Sequence, residues 1–402
     1  MGPATSQTDV EVLPRAARGQ SEELPPPLGG RLLSLDVFRG ITIAAMILVN
    51  NAGDGDAAYW PLKHARWNGW TPTDLIFPFF LFIVGVSMVF SFSSRLRRGE
   101  SRWHLMAHVL KRTAILFALG VLLNGFPNQY HLASIRIEGV LQRIALCYLF
   151  SSMLILWSDW RGRVFAIVAC LIGYWVLMRF VPVPGFGVPT QAIPLLDPDR
   201  NLTAWLDRKL FMGHLYEGIR DPEGVLSTIP AIATTLIGVV TAEWLRSGAS
   251  SRRKVASMMA LGVAGVVAGK VFNLWFPINK KLWTSSYVLF AGGSALICLA
   301  LCYWLLDLQQ RRGRRWAVPA LVLGTNAIAA YVFSELLAKA LDAGRVHLSS
   351  GQILSWQQFI YQRLFAPLAK APMASLLYSL VYVLLCWEVS WMLYRKRIFI
   401  KI

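Results

Sequence analysis

The sequence predicts an all-α polytopic membrane protein: a single bundle of about ten transmembrane helices with both termini in the cytoplasm. Three observations predict it. Apolar runs of about 20 residues, the length a helix needs to cross a bilayer, recur along the 402-residue chain. The composition is 55% hydrophobic with 16 Trp and a mean hydropathy of +0.48, more apolar surface than a soluble fold of this length needs. The cations gather in alternate, short connections, which the positive-inside rule places in the cytoplasm.

Taken in order, residues 1–30 carry Pro25-Pro26-Pro27 and Gly29-Gly30 but no apolar h-region, so the expectation is a disordered cytoplasmic leader and not a signal peptide. Spans are expected at roughly 33–50, 75–93, 108–124, 139–157, 163–181, 226–245, 255–273, 285–306, 317–341 and 374–394. The second begins at Thr71-Pro72-Thr73-Asp74, with Thr71 as N-cap, Pro72 at N1 and Asp74 at N3. Pro78, one turn on, predicts a kink. Arg95, Arg97, Arg98 and Arg102 mark the next connection as cytoplasmic, as do Arg161 and Arg163, then Arg252, Arg253 and Lys254, then Arg311 to Arg315, and the tail from Arg395. The opposite loops are longer. Within 342–373, Trp356, Phe359, Ile360, Leu364 and Phe365 have the spacing of an interfacial helix. Gly262 and Gly269 fit close helix packing, either within one subunit or between two.

The formal charge is +18. Because the cations sit in short loops, they read as orienting charges that meet anionic lipid, and nucleic acid is excluded as a partner. The five cysteines all fall in apolar segments and form no CxxC, so no disulfide framework is readable. The six histidines are scattered, and no metal site is expected.

Polar groups concentrate in Lys63-His64-Ala65-Arg66-Trp67-Asn68-Gly69-Trp70-Thr71-Pro72-Thr73-Asp74, a loop that the charge pattern places outside. His64 is either structural or a general base, since imidazole titrates near neutral pH. Asp74 either caps the second helix or orients that imidazole. Asn50 and Asn51 end the first helix, as a C-cap or as amides donating to a carbonyl oxygen. Asp36 and Arg39 can pair at i, i+3, or Arg39 can face phosphates entering from the cytoplasm. Arg143 lies too deep to snorkel and needs a partner, with Glu138 a weak candidate. Lys270, Lys339 and Glu388 lie nearer span ends, where snorkelling accounts for them.

At these residues the chain resembles the heparan-alpha-glucosaminide N-acetyltransferase family and its bacterial relatives in the transmembrane acyltransferase superfamily. The matching stretches are Ser34–Gly40 (SLDVFRG), Lys63–Met88, Gly139–Arg143 (GVLQR), Asp221–Thr228 (DPEGVLST), Phe276–Tyr287 (FPINKKLWTSSY) and Gly324–Tyr331 (GTNAIAAY). The lysosomal member has a further N-terminal lumenal domain and an extra leading helix. The expectation is therefore a bacterial-type member in which 31–402 form the transmembrane acyltransferase domain.

The resemblance implies transfer of an acetyl group from cytoplasmic acetyl-CoA to the amine of a glucosamine-type sugar outside the cell, in a bacterial inner membrane. It implies His64, Asp74 and Asn50 as catalytic residues. His64 would be the base or a transient acetyl carrier, Asp74 would set its tautomer and Asn50 would meet the oxyanion. Arg39, Arg143 and Asn326 are expected to contact CoA, and Trp67, Asn68, Asn279 and Lys280 the acceptor. A homodimer is a further possibility by resemblance alone. The competing class is a secondary transporter or flippase for a sugar or glycan, suggested by ten helices, the prolines Pro78 and Pro230, and intramembrane charges. Against it stand the lack of an internal repeat and the concentration of polar residues in one loop.

Overall fold

The computed structural model describes residues 32–127, 130–131, 133–309, 314–349 and 351–400. The expected leader at 1–30 lies outside them. The protein is helical, with one two-stranded hairpin among the described residues. Nine helices there are long and apolar enough to cross a membrane, and a bent pair makes a tenth candidate.

Helix α1 is Leu33–Asn50 and α2 is Ile76–Arg97, led in by a 3-10 turn at Pro72–Leu75. Next come α3 (Arg102–Gly125), α4 (Val140–Trp157), α5 (Trp160–Phe180) and a short outer-loop helix, α6 (Leu202–Phe211). Then follow α7 (Thr228–Arg246), α8 (Ser251–Phe272) and α9 (Ser285–Tyr303), the last extended by a π turn to Leu308. Starts are set by side-chain caps: Ser101, Asp159, Asn201 and Ser250 each accept an N–H from the first turn of α3, α5, α6 and α8.

The expected span 317–341 is not one helix. It is α10 (Val318–Thr325) and α11 (Ala327–Ala343), bent by 83° at Asn326. The hairpin β1 (Arg345–His347) and β2 (Ile353–Ser355) follows, then α12 (Trp356–Ile360), a π turn to Phe365 and α13 (Ala371–Arg395). The expected helix near 356–365 is therefore present.

The prolines do not break spans. Pro78 and Pro230 both lie in the first turn of their helices, where the missing N–H has no intrahelical acceptor to lose. Pro78 is expected from the sequence to kink the second helix one turn in; the 3-10 turn moves the helix start up to it, so it belongs to the first turn of α2.

The interior is α7, two-thirds buried over its apolar window, with α2, α4 and α1 around it; α8 is only 17% buried and faces outward. Gly262 and Gly269 point at Ile297 and Phe290 of α9, so they serve packing within the subunit. At the contact of α1 with α10, a Cβ on Gly324 would lie 1.9 Å from the carbonyl oxygen of Asp36. Gly324→Ala is therefore expected to force the helices apart and destabilise the protein by about 1–3 kcal/mol, read as a lower unfolding midpoint in detergent. An unchanged midpoint would mean that this contact yields freely.

Candidate active site

The His64 loop is held by its own threonines. Thr71 Oγ1 donates to the Lys63 carbonyl at 2.6 Å and Thr73 Oγ1 to the Pro61 carbonyl at 2.9 Å. Gly69, with φ +103°, donates its N–H to the Ile278 carbonyl at 2.7 Å, tying the loop to the segment before α9.

Asp74 is fully buried and makes both of the contacts expected of it, one per oxygen. Oδ2 accepts the Thr71 N–H at 3.0 Å, the Ala65 N–H at 3.0 Å and the Thr71 hydroxyl at 3.1 Å, the cap of the second span. Oδ1 lies 2.7 Å from His64 Nδ1. A carboxylate only accepts, so Nδ1 carries a proton, and in the neutral ring the lone pair is on Nε2. The His64 side chain is 47% exposed against 1% for Asp74, so an exposed imidazole rests on a buried anchor.

Lys280 completes the group. Its Nζ lies 3.0 Å from His64 Nδ1, 3.4 Å from Nε2 and 3.6 Å from Asp74 Oδ1. Burial lowers its pKa, while the Asp74 and Glu223 carboxylates pull it back up. Asn279 shapes the turn that presents it: its Oδ1 accepts the Leu282 N–H at 2.9 Å and its Nδ2 donates to Asn68 Oδ1 at 3.1 Å. Asn279 is completely buried and Asn68 is exposed, and their hydrogen bond clasps two loops together. Tyr287, which sequence reasoning did not single out, donates its hydroxyl to the Asp74 carbonyl. Its place in the NK-LW-SY stretch was the available signal.

The remaining expected residues make other contacts. Asn50 ends α1 exposed, and no hydrogen bond joins it to His64, Asp74 or Lys280 among the described residues. Trp67 donates Nε1 to the Leu196 carbonyl at 2.8 Å and lies under Arg220 and Lys281, pinning the long outer loop. Arg39 bonds Asp36 at 2.8 Å, Ser87 at 2.7 Å and the Gly324 carbonyl at 3.2 Å, joining α1, α2 and α10. Asn326 is buried, and its amide takes the Ile398 carbonyl and the Ile400 N–H at 3.1 and 3.0 Å, holding the tail at the α10–α11 bend.

Arg143 finds its partner away from Glu138. It donates to the Gly224 carbonyl at 3.0 Å and to Ser227, with its guanidinium 5.1 Å from the Trp283 ring. It is fully buried in the first turn of α4. Both Glu138 oxygens are buried without a hydrogen bond. Burial, then the Asp207 and Asp221 carboxylates, pushes Glu138 from an ordinary 4.5 up to about 9. The folded protein therefore holds a proton that the unfolded chain releases. Glu138 contributes most stability below about pH 4.5, and that contribution is lost as the pH rises towards 9. Glu138→Gln is expected to flatten this slope and to stabilise the protein at pH 8 by about 1–3 kcal/mol. Unfolding midpoints of both forms from pH 5 to 9 test it; parallel curves would refute it.

Comparison with known proteins gives a consistent picture. The family described as heparan-alpha-glucosaminide N-acetyltransferase, catalytic, matches residues 31–270, which include His64 and Asp74. The human heparan-alpha-glucosaminide N-acetyltransferase is 30% identical over 458 residues, covering 99% of this chain and 63% of that protein. The mouse protein of the same name is 32% identical over 367 residues, covering 76% of this chain and 54% of its own length. The chain thus spans less than two-thirds of either relative.

Proposed function

The chain belongs to the heparan-alpha-glucosaminide N-acetyltransferase family, and from that membership we propose that it moves an acetyl group from acetyl-CoA to the amine of a glucosamine-type sugar. The observation that carries the reading is the 2.7 Å contact of His64 Nδ1 with Asp74, which in the neutral form of this half-exposed ring puts the lone pair on Nε2. In the proposed reaction an unprotonated amine attacks the thioester carbonyl. Nε2 takes the proton that nitrogen sheds as the C–N bond forms. The C–S bond then breaks, and the imidazolium returns the proton to the CoA thiolate, giving the amide and free CoA. Asp74 holds the tautomer and balances the imidazolium. Lys280 Nζ, 3.4 Å from Nε2, is the better-placed donor to the developing oxyanion; Asn50 has no comparable contact with the imidazole. In the two-step variant Nε2 itself takes the acetyl group and passes it on.

The basic end of the bundle would face the cytoplasm and CoA, and the His64 loop the outside of a bacterial inner membrane. A free amino sugar or short oligomer is the proposed acceptor. A panel of glucosamine, its oligomers and heparan fragments, with radiolabelled acetyl-CoA as donor, tests this. The expected result is label in glucosamine; label in polymers alone would reject the acceptor, and label in none the activity. The 83° bend at Asn326 resembles the discontinuous helices of transporters and keeps that second reading in view. Sugar uptake by proteoliposomes without acetyl-CoA would favour it.

A further inference from the structure

At the opposite end of α2 from the His64 loop, about 33 Å along the helix axis, two of the histidines expected to be scattered come together. Gly99, at φ +87°, turns the chain out of α2. Ser101 then caps α3, its Oγ accepting the His104 N–H at 3.1 Å. His104 and His108 follow at i, i+4 on one face, and Glu100 precedes His104 by four residues. The two rings meet edge to face with centroids 4.7 Å apart. One ligand atom from each of Glu100, His104 and His108 lies within 4.8 Å of the others, the one such group found among the described residues. Both histidines are exposed on the surface of α3, so small side-chain rotations can close the three atoms around an ion. Arg95 grips the Glu100 carboxylate through Nε at 2.9 and 3.0 Å, fixing its direction while leaving lone pairs for a further partner.

We propose that Glu100, His104 and His108 form a binding site for a borderline divalent transition-metal cation of the zinc type. Two neutral imidazoles and one carboxylate suit zinc and its neighbours, and hard calcium or magnesium poorly. Three protein ligands leave a position for water. Bound metal would clamp the α2–α3 turn to the first two turns of α3. Arg97, Arg98 and Arg102 nearby oppose a cation, and so does the positive end of the α3 dipole, so binding is expected to be weaker than in a closed structural site.

The test is calorimetric titration of the full chain in detergent with Zn2+ alone at pH 7.5, beside a Co2+ titration followed by visible absorption. The expected result is one saturable zinc site and a cobalt d–d band. His104→Ala/His108→Ala should abolish the band and weaken zinc by more than roughly 100-fold, the upper range for losing an outer orienting partner. His104→Gln alone should weaken it measurably without touching the turn's packing. Zinc binding unchanged in the double variant would overturn the proposal, as would a wild type that binds neither ion. Equal affinity for Mg2+ would reject the metal class.

Discussion

Replacing His64 by Ala is expected to lower acetyl transfer by about 10²–10⁴, the range a positioned general base supplies, and to leave the protein folded. The second half follows from the contacts. The imidazole is half exposed and belongs to no buried hydrophobic cluster among the described residues. When it is gone, Asp74 still accepts from Ala65, Thr71 and the Thr71 hydroxyl, with Lys280 at 3.6 Å, so no uncompensated buried carboxylate remains. Initial rates with radiolabelled acetyl-CoA and glucosamine, beside a size-exclusion profile, measure both. Equal rates in the two proteins would take His64 out of the chemistry.

Asp74→Asn is expected to reduce rate and stability together, because Asn has one acceptor oxygen where Asp has two. If that oxygen takes the capping position, the NH2 faces His64 Nδ1. The ring must then accept there and carry its proton on Nε2, which removes the base; a wrong tautomer of this kind costs roughly 10⁴ in a serine protease. If the oxygen instead faces His64, the NH2 meets the N–H groups of Ala65 and Thr71 in a closed site. Each donor left unpaired there costs about 1–3 kcal/mol. Activity per folded molecule, measured with the unfolding midpoint, separates the two roles. A lowered midpoint with undiminished activity would leave Asp74 as a cap only.

Much of the fold is readable in the chain because bilayer thickness fixes span length and every buried backbone group must be satisfied inside its own helix. Nine of the ten expected spans correspond to nine helices. The failures share one cause. Pro78 and Asn326 were judged by position in an apolar run, but whether a residue kinks, starts or breaks a helix depends on what meets its backbone and side chain. For Pro78 that is a preceding 3-10 turn, and for Asn326 it is the tail at Ile398–Ile400.

The site divides the same way. Thr71-Pro72-Thr73-Asp74 declares a helix start, and the ten-residue spacing from His64 to Asp74 allows an ion pair; both are local and present. That Lys280, more than 200 residues away, stands over the same imidazole is not local. It requires Gly69 to pair with Ile278 and Asn68 with Asn279, contacts that no periodicity reports. The same holds for Arg143, whose deep position signalled a partner but not which one. Sequence alone determined the helical membrane architecture and the helix start at Thr71–Asp74, and it allowed the His64–Asp74 pair, because hydropathy and short-range hydrogen bonding act within a few residues. Tertiary structure decided the third member of the site, the bend at Asn326 and the partners of the buried charges, because the energy of those groups is set by neighbours that only folding brings near.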